Sequence, residues 1–391
     1  MVNYYLYPDD WAYKEDGSTS SVLDGTDGTV RVHTPKFYGK SGSNGNKRWV
    51  RISLVKLDDS WVEIPELLID AYRNTVDNTV SATPKAVSVV NTTEAFRGGG
   101  NRAQFDEYLT TEPDTKDAFR SDLGKPRTNV SRANMRTYAT NAGSELLCYE
   151  YYKWIFYWNY VIEYANFNSQ AAYNAELTSD GYRQGGLGPG VTDWSNSATS
   201  WSGYNGTYPI TPCGYCNDIG NFTGIKDLVI PECTATNETD TVATKTFKVP
   251  RWRGFDNPFG DIWTNLDGVV IQRTAANEIS SVYTTTNKEE FTDVIGSKTI
   301  AGYEVAQDGY IKEFDLGETA EIIPSSCTGA SATTYICDYH SCNATSTELR
   351  TLLVGGRAAI GGGAGLGYFL SSYGVGYAGS DVGFRTLNRV S

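Results

Sequence analysis

Apolar and β-branched residues alternate with polar ones over residues 30–38 and 48–57, and the turn-forming string SGSNGN separates the two stretches. Strand side chains point to opposite faces in turn, so this pattern predicts a β-hairpin. Ahead of it, residues 1–20 read as an extended arm, and residues 21–28 (SVLDGTDG) as a turn with two Asp-Gly dipeptides. Residues 67–75 (LLIDAYRNT) fit a strand or, with Pro65 as a first-turn proline, a helix. A helical period appears further on. Ser131 can cap a short helix through Tyr138 that stops near Asn141 and Gly143, and Ser144 can cap a long one through about Ala165. On the long helix Leu147, Tyr151, Trp154, Ile155, Trp158, Val161, Ile162 and Ala165 share one face, an aromatic stripe suited to a core. Residues 166–245 are rich in Asn, Ser, Thr and Gly and read as long ordered loops. Strand character returns at 250–272 and 302–314, and short strands at Arg350–Val354 and 383–387 close the chain. Strands around two helices, with long loops, give an α+β expectation. No Pro-rich or charged linker divides the chain. The arm and hairpin (residues 1–60) are expected to serve attachment or oligomerisation, and residues 61–391 to form the main domain.

Composition adds a bias rather than a class. The 391 residues are 40% hydrophobic and 20% charged, as in globular chains, with 27 Tyr and 9 Trp against 2 Met and 2 His. Tyr and Trp supply rigid amphipathic surface, so the bias suits either recognition by contact or a Tyr-rich β core. A net charge of −13 argues against nucleic acid and anionic membrane as partners. The richest apolar stretch, residues 146–165, is interrupted by Glu150, Lys153, Asn159 and Glu163 and does not read as a membrane span. The first residues show no secretion signal, so triplets such as Asn205-Gly-Thr are expected to be unmodified.

Seven cysteines, an odd number, make free thiols the default expectation. Cys213 and Cys216 form a CxxC and Cys337 and His340 a CxxH, which together could supply four tetrahedral zinc ligands. A disulfide is the other reading the sequence leaves open. No cofactor is implied.

The C-terminal segment 354–391 holds eleven glycines interleaved with Tyr368, Phe369, Tyr373 and Tyr377. A linker would not carry those aromatics. Glycine can instead permit tight winding while tyrosines face outward.

Four segments resemble, in order, the C-type-lectin-like fold of the formylglycine-generating (sulfatase-modifying) family and of phage tropism proteins. They are residues 68–75, favouring a strand there; Lys125-Pro126-Arg127-Thr128-Asn129-Val130-Ser131 followed by Met135-Arg136-Thr137-Tyr138-Ala139; Arg253-Gly254-Phe255-Asp256-Asn257-Pro258-Phe259-Gly260-Asp261-Ile262-Trp263, continuing to Leu266-Asp267-Gly268; and Gly355-Gly356 with Gly383-Phe384-Arg385. The phrases at residues 24–30, 35–38 and 96–100 are similar to virion-surface proteins of phages of Bacteroides-type hosts, including the crAss-like group. The resemblance implies a head or tail fibre that binds a host cell-surface glycan or protein and contacts other virion proteins as a homo-oligomer, commonly a trimer. Some relatives are diversified by retroelements in this last segment. The matching positions here are Arg357, Ala358, Tyr368, Phe369, Ser371, Ser372, Tyr373, Tyr377 and Ala378. Residues 343–391 contain no Cys or His, so the copper chemistry of formylglycine-generating enzymes is not expected. Calcium-lectin tripeptides (Glu-Pro-Asn, Gln-Pro-Asp, Trp-Asn-Asp), a Gly-x-Ser-x-Gly elbow and a Walker motif are also missing from the chain. The rival readings are a structural virion component without receptor contact, and a glycan-degrading virion enzyme built on a carboxylate pair.

Overall fold

The computed structural model describes residues 23–45, 47–100, 121–193, 210–231 and 244–390. The expected arm (residues 1–20), the Asn205 triplet and Cys233 lie outside the described residues.

Pro35 splits the expected first strand, because its ring fixes φ and removes an N–H from the ladder. The result is two strands, Arg31–Thr34 and Phe37–Asn44. The second forms the expected hairpin with Lys47–Ser53, Ser41 opposite Val50. The first pairs instead with Leu67–Asp70, Val32 opposite Ile69. Leu67–Asp70 also pairs with Thr386–Arg389, which pairs in turn with Glu145–Leu146. One small sheet thus joins the first described strand to the last. Val30, Val32 and Phe37 share a core with Trp154, Leu266 and Val354. Gly39 of the hairpin lies on the Trp154 ring so closely that a Cβ there would stand 2.3 Å from it.

The first helix, Arg132–Asn141, is capped as expected, Ser131 Oγ accepting from the Asn134 N–H at 3.4 Å. The second begins later than expected. Residues 145–146 are taken by the small sheet, and the helix covers 149–164, ending where Ala165 turns left-handed at φ 48°. Its middle, Lys153–Trp158, is π-helical, and all six side chains there are buried. Of the expected stripe, Leu147, Tyr151, Trp154, Ile155 and Trp158 are buried in the core, Val161 and Ile162 are half-buried and Ala165 is exposed. Residues off the stripe are buried as well: Tyr152 stacks on Phe156 at 5.3 Å, Phe156 meets Phe255 at 4.6 Å, and Tyr157 meets Phe314 edge-on at 5.5 Å.

The largest sheet runs Thr299–Glu304, Ser280–Thr284, Trp263–Arg273, Arg350–Val354, Phe369–Ser371, Tyr339–Cys342 and Gly309–Tyr310, with Val382–Gly383 added parallel to Trp263–Arg273. It curls into a half-barrel. Strand accounts for 37% and helix for 11%, so the fold is closer to all-β than to the expected α+β. The difference comes from segments expected as loops. Tyr173–Leu177, Arg183–Gly185 and Gly224–Pro231 are strands, and Tyr173–Leu177 has no buried residue. The first two rest on backbone pairing and carry no alternating apolar signal, whereas Gly224–Pro231 buries Leu228 and Ile230 on one side. No helix among the described residues is long and apolar enough to cross a membrane.

Candidate recognition face at the C-terminus

The strand Phe369–Ser371 lies inside the large sheet, antiparallel to Arg350–Val354 and parallel to Tyr339–Cys342. Its three residues are all buried. Behind it sits a polar clamp. Ser371 Oγ donates to the Glu304 carboxylate, which also faces His340 Nε2 at 3.0 Å and Arg273 Nη2 at 3.6 Å. His340 Nδ1 faces the Gln307 carbonyl at 2.9 Å, so both ring nitrogens meet acceptors and the ring must carry two protons to satisfy them. Burial alone would lower its pKa. Contacts with Cys327 and the Glu304 carboxylate outweigh burial and raise it to about 9. The same contacts hold Glu304 below the usual carboxylate range against its own burial.

The glycine run ahead of this strand is packed backbone. A Cβ on Gly365 would stand 2.0 Å from Asp338 Oδ1, and the Gly367 N–H donates to Asp338 Oδ2 at 2.7 Å. Burial pushes the Asp338 carboxyl well above its ordinary value. Glycine is needed here so that the main chain can approach a buried carboxyl.

Past Ser371 the chain reaches the surface. Tyr373 is 36% exposed and stacks on the half-buried Tyr377, ring centroids 3.8 Å apart and planes 8° from parallel. Backbone bonds hold this loop at several points: Thr351 N–H to Tyr373 O (3.1 Å), Asn129 N–H to Gly379 O (2.8 Å) and Trp263 N–H to Asp381 O (2.8 Å). Arg350 Nη1 adds a bond to Ser372 O at 2.9 Å. Arg357 Nη1 reaches Asp381 Oδ2 at 2.5 Å beside them. Partial burial, with the Asp381 charge in addition, raises the Tyr377 pKa, so its ring stays a neutral phenol.

Of the nine expected contact positions, Arg357, Ser372, Tyr373, Tyr377 and Ala378 reach solvent. Ala358, Tyr368, Phe369 and Ser371 do not, and their expected role as surface contacts is corrected. Phe369 and Ser371 belong to a sheet strand covered on both faces. Tyr368 packs edge-on against Trp263 at 4.7 Å and lies near Tyr339 at 6.0 Å. Sequence reasoning missed Tyr339 and Tyr310, half-buried neighbours in T-shaped contact at 5.2 Å. In Tyr339–Cys342 the buried positions are His340 and Cys342, leaving Tyr339 and Ser341 on the more open side. Strand alternation through residues 339–342 carried that signal, but the spacing of Cys337 and His340 had suggested metal ligation instead.

The zinc set does not assemble. Cys213 Sγ points to Arg73 O, Cys216 Sγ to Val249 O and Cys337 Sγ to Tyr335 O, while His340 is held by Glu304. No metal-binding group of three or more His, Cys, Asp or Glu occurs among the described residues, and the six described cysteines are free and buried. Two grooves lie elsewhere. A polar one of about 680 Å³ is lined by Arg136, Ser144, Glu145, Lys288 and Arg389, with Arg136 paired to Asp267 and Arg389 to Glu145. An apolar one of about 410 Å³ is lined by Trp49, Trp158, Phe167, Phe314 and Tyr335. The C-terminal face lines neither. No protein-family model matches the chain, and no curated protein is significantly similar to it.

Proposed function

We propose that the protein is a phage virion surface component, a head or tail fibre, whose C-terminal face binds a host cell-surface glycan or protein. The observation that carries this reading is the Tyr373–Tyr377 stack, open to solvent beside the Arg357–Asp381 pair on a loop fixed by backbone bonds. Two parallel phenols held in place present a flat aromatic surface at small entropic cost, and Tyr and Arg are the residues that dominate contact energetics. Such a patch binds weakly alone and strongly when repeated on a particle, which fits a homo-oligomer such as a trimer. The test is binding of purified protein to susceptible cells. Replacing Tyr373 and Tyr377 together by Ala should abolish binding while leaving the melting temperature close to that of the parent; undiminished binding by that variant refutes receptor contact through this face.

A second reading, a structural virion component without receptor contact, draws on Leu54, Val55 and Leu57. They are exposed by 38%, 58% and 64% directly after the hairpin, a surface suited to assembly. Under this reading the unaltered protein shows no binding to cells.

A further inference from the structure

The apolar groove beside the hairpin has two properties that together define an occupant. The first is a strand edge that has no second partner among the described residues. Lys47–Ser53 stands at the end of its three-stranded sheet, paired there with Phe37–Asn44, and Arg48, Trp49 and Val50 of this strand line the groove. An edge strand with unpaired backbone groups accepts an extended peptide as an added strand. The second is a cationic rim in a chain whose net charge is −13. Arg48 and Lys312 line the groove, with Glu313 the carboxylate among its lining residues; Lys312 lies over the Tyr335 ring at 5.5 Å, and next to the groove Arg51 lies over the Trp49 ring at 4.6 Å, with Lys47 exposed on the same strand. Apolar floor and cationic rim call for a segment that is both aromatic and acidic.

The chain contains one. Residues 1–22 carry Tyr4, Tyr5, Tyr7, Trp11 and Tyr13 together with Asp9, Asp10, Glu15 and Asp16, against the single cation Lys14. Fully extended, 22 residues span ~70 Å, enough to pass from one copy to the next. We propose that the groove seats the N-terminal segment of a second copy of the chain. The segment lies along Lys47–Ser53, sets its aromatic rings in the groove and faces its carboxylates to Arg51 and Lys312. A second copy is the source because exposed apolar residues are not confined to the groove. Leu54, Val55 and Leu57 follow the strand directly in the chain and are exposed as well, more than one peptide strand covers and suited to the body of a neighbouring copy.

The experiment uses the full-length chain throughout. Its mass is measured by sedimentation over a range of concentrations, together with Arg51→Glu/Lys312→Glu, Asp9→Lys/Asp10→Lys and the combination of the two. The parent should associate, each charge reversal should weaken association at least tenfold, and the combined variant should recover most of it. Melting temperatures report whether the variants remain folded. A photo-crosslinker placed at Trp11 in mixed heavy- and light-isotope protein should join residues 47–51 to an arm of the other label. A parent that stays monomeric overturns the proposal, as does association indifferent to both reversals. Cross-links confined to like-labelled chains also overturn it, by showing that each arm serves its own groove. None of these outcomes bears on Tyr373 and Tyr377, so failure here is distinct from failure of the receptor reading.

Discussion

Replacing His340 by Gln tests whether the clamp beneath the recognition face holds a proton that the unfolded chain lacks. His340 is fully buried, with Glu304 at 3.0 Å on one ring nitrogen and the Gln307 carbonyl at 2.9 Å on the other. Its pKa rises from an ordinary 6.5 to about 9. A group whose pKa is raised by folding contributes stability that is complete below the unfolded value and lost as pH climbs through the folded one. From 6.5 to about 9 the total is about 3 kcal/mol, and within that window stability falls with a limiting slope of about 1.4 kcal/mol per pH unit. Between about pH 7 and pH 8.5 the parent should therefore lose roughly 1.7 kcal/mol that His340→Gln does not lose. In the parent Glu304 is held below its ordinary range and adds no slope over that interval. Glu150 and Asp261, raised by burial to about 7, contribute equally in both proteins and cancel in the difference. The assay is denaturant unfolding followed by tryptophan fluorescence at several pH values, with stability compared at each. Equal pH slopes for the two proteins would show that the ring is neutral in the fold and refute the reasoning. Because Ser371 shares Glu304 with His340, loss of this charge should also loosen the strand on which the exposed tyrosines depend.

Three further outcomes follow from the packing. Gly365→Ala drives a methyl into Asp338 and should cost about 1–3 kcal/mol in denaturant unfolding, whereas Gly376→Ala, with nothing within 4 Å of its Cβ, should be neutral. If both were neutral, the glycines of this segment would not be scaffold. Lys153→Met strands Glu150 and Glu321, which flank the buried ammonium, and should lower stability by about 3–5 kcal/mol; a loss under about 1 kcal/mol would mean the two carboxyls are readily accommodated without it. The six described cysteines should react with a thiol reagent only after denaturation, and a zinc chelator should leave the melting temperature unchanged; a lowered melting temperature would reinstate a metal.

Particular elements show how far the sequence could be read. The hairpin, the capped first helix, the aromatic helix and Arg350–Val354 were legible because each carries a local signal: a turn string, a capping serine, a helical stripe, a short apolar run. The start of the second helix was misplaced because Ser144 is as good a cap as any, and only the pairing of Glu145–Leu146 with Thr386–Arg389 takes those residues out of the helix. The polar strands Tyr173–Leu177 and Arg183–Gly185 were invisible because backbone pairing, not side-chain burial, defines them. At the C-terminal face, the aromatic residues were legible and their depth was not.

The sequence by itself determined that residues 354–391 could not be an idle glycine tail, since aromatics recur through them at positions a linker would not need. It also determined where the glycines lie that let the main chain touch Asp338. Only the tertiary structure decided which aromatics face outward. Tyr368 and Tyr373 have the same chemistry and similar neighbours in the chain. One is sealed under Trp263 and Tyr339 while the other is stacked in the open, because the strand between them passes through the middle of a sheet before its loop emerges. Exposure depends on what distant segments bring to each face, and no local pattern records that.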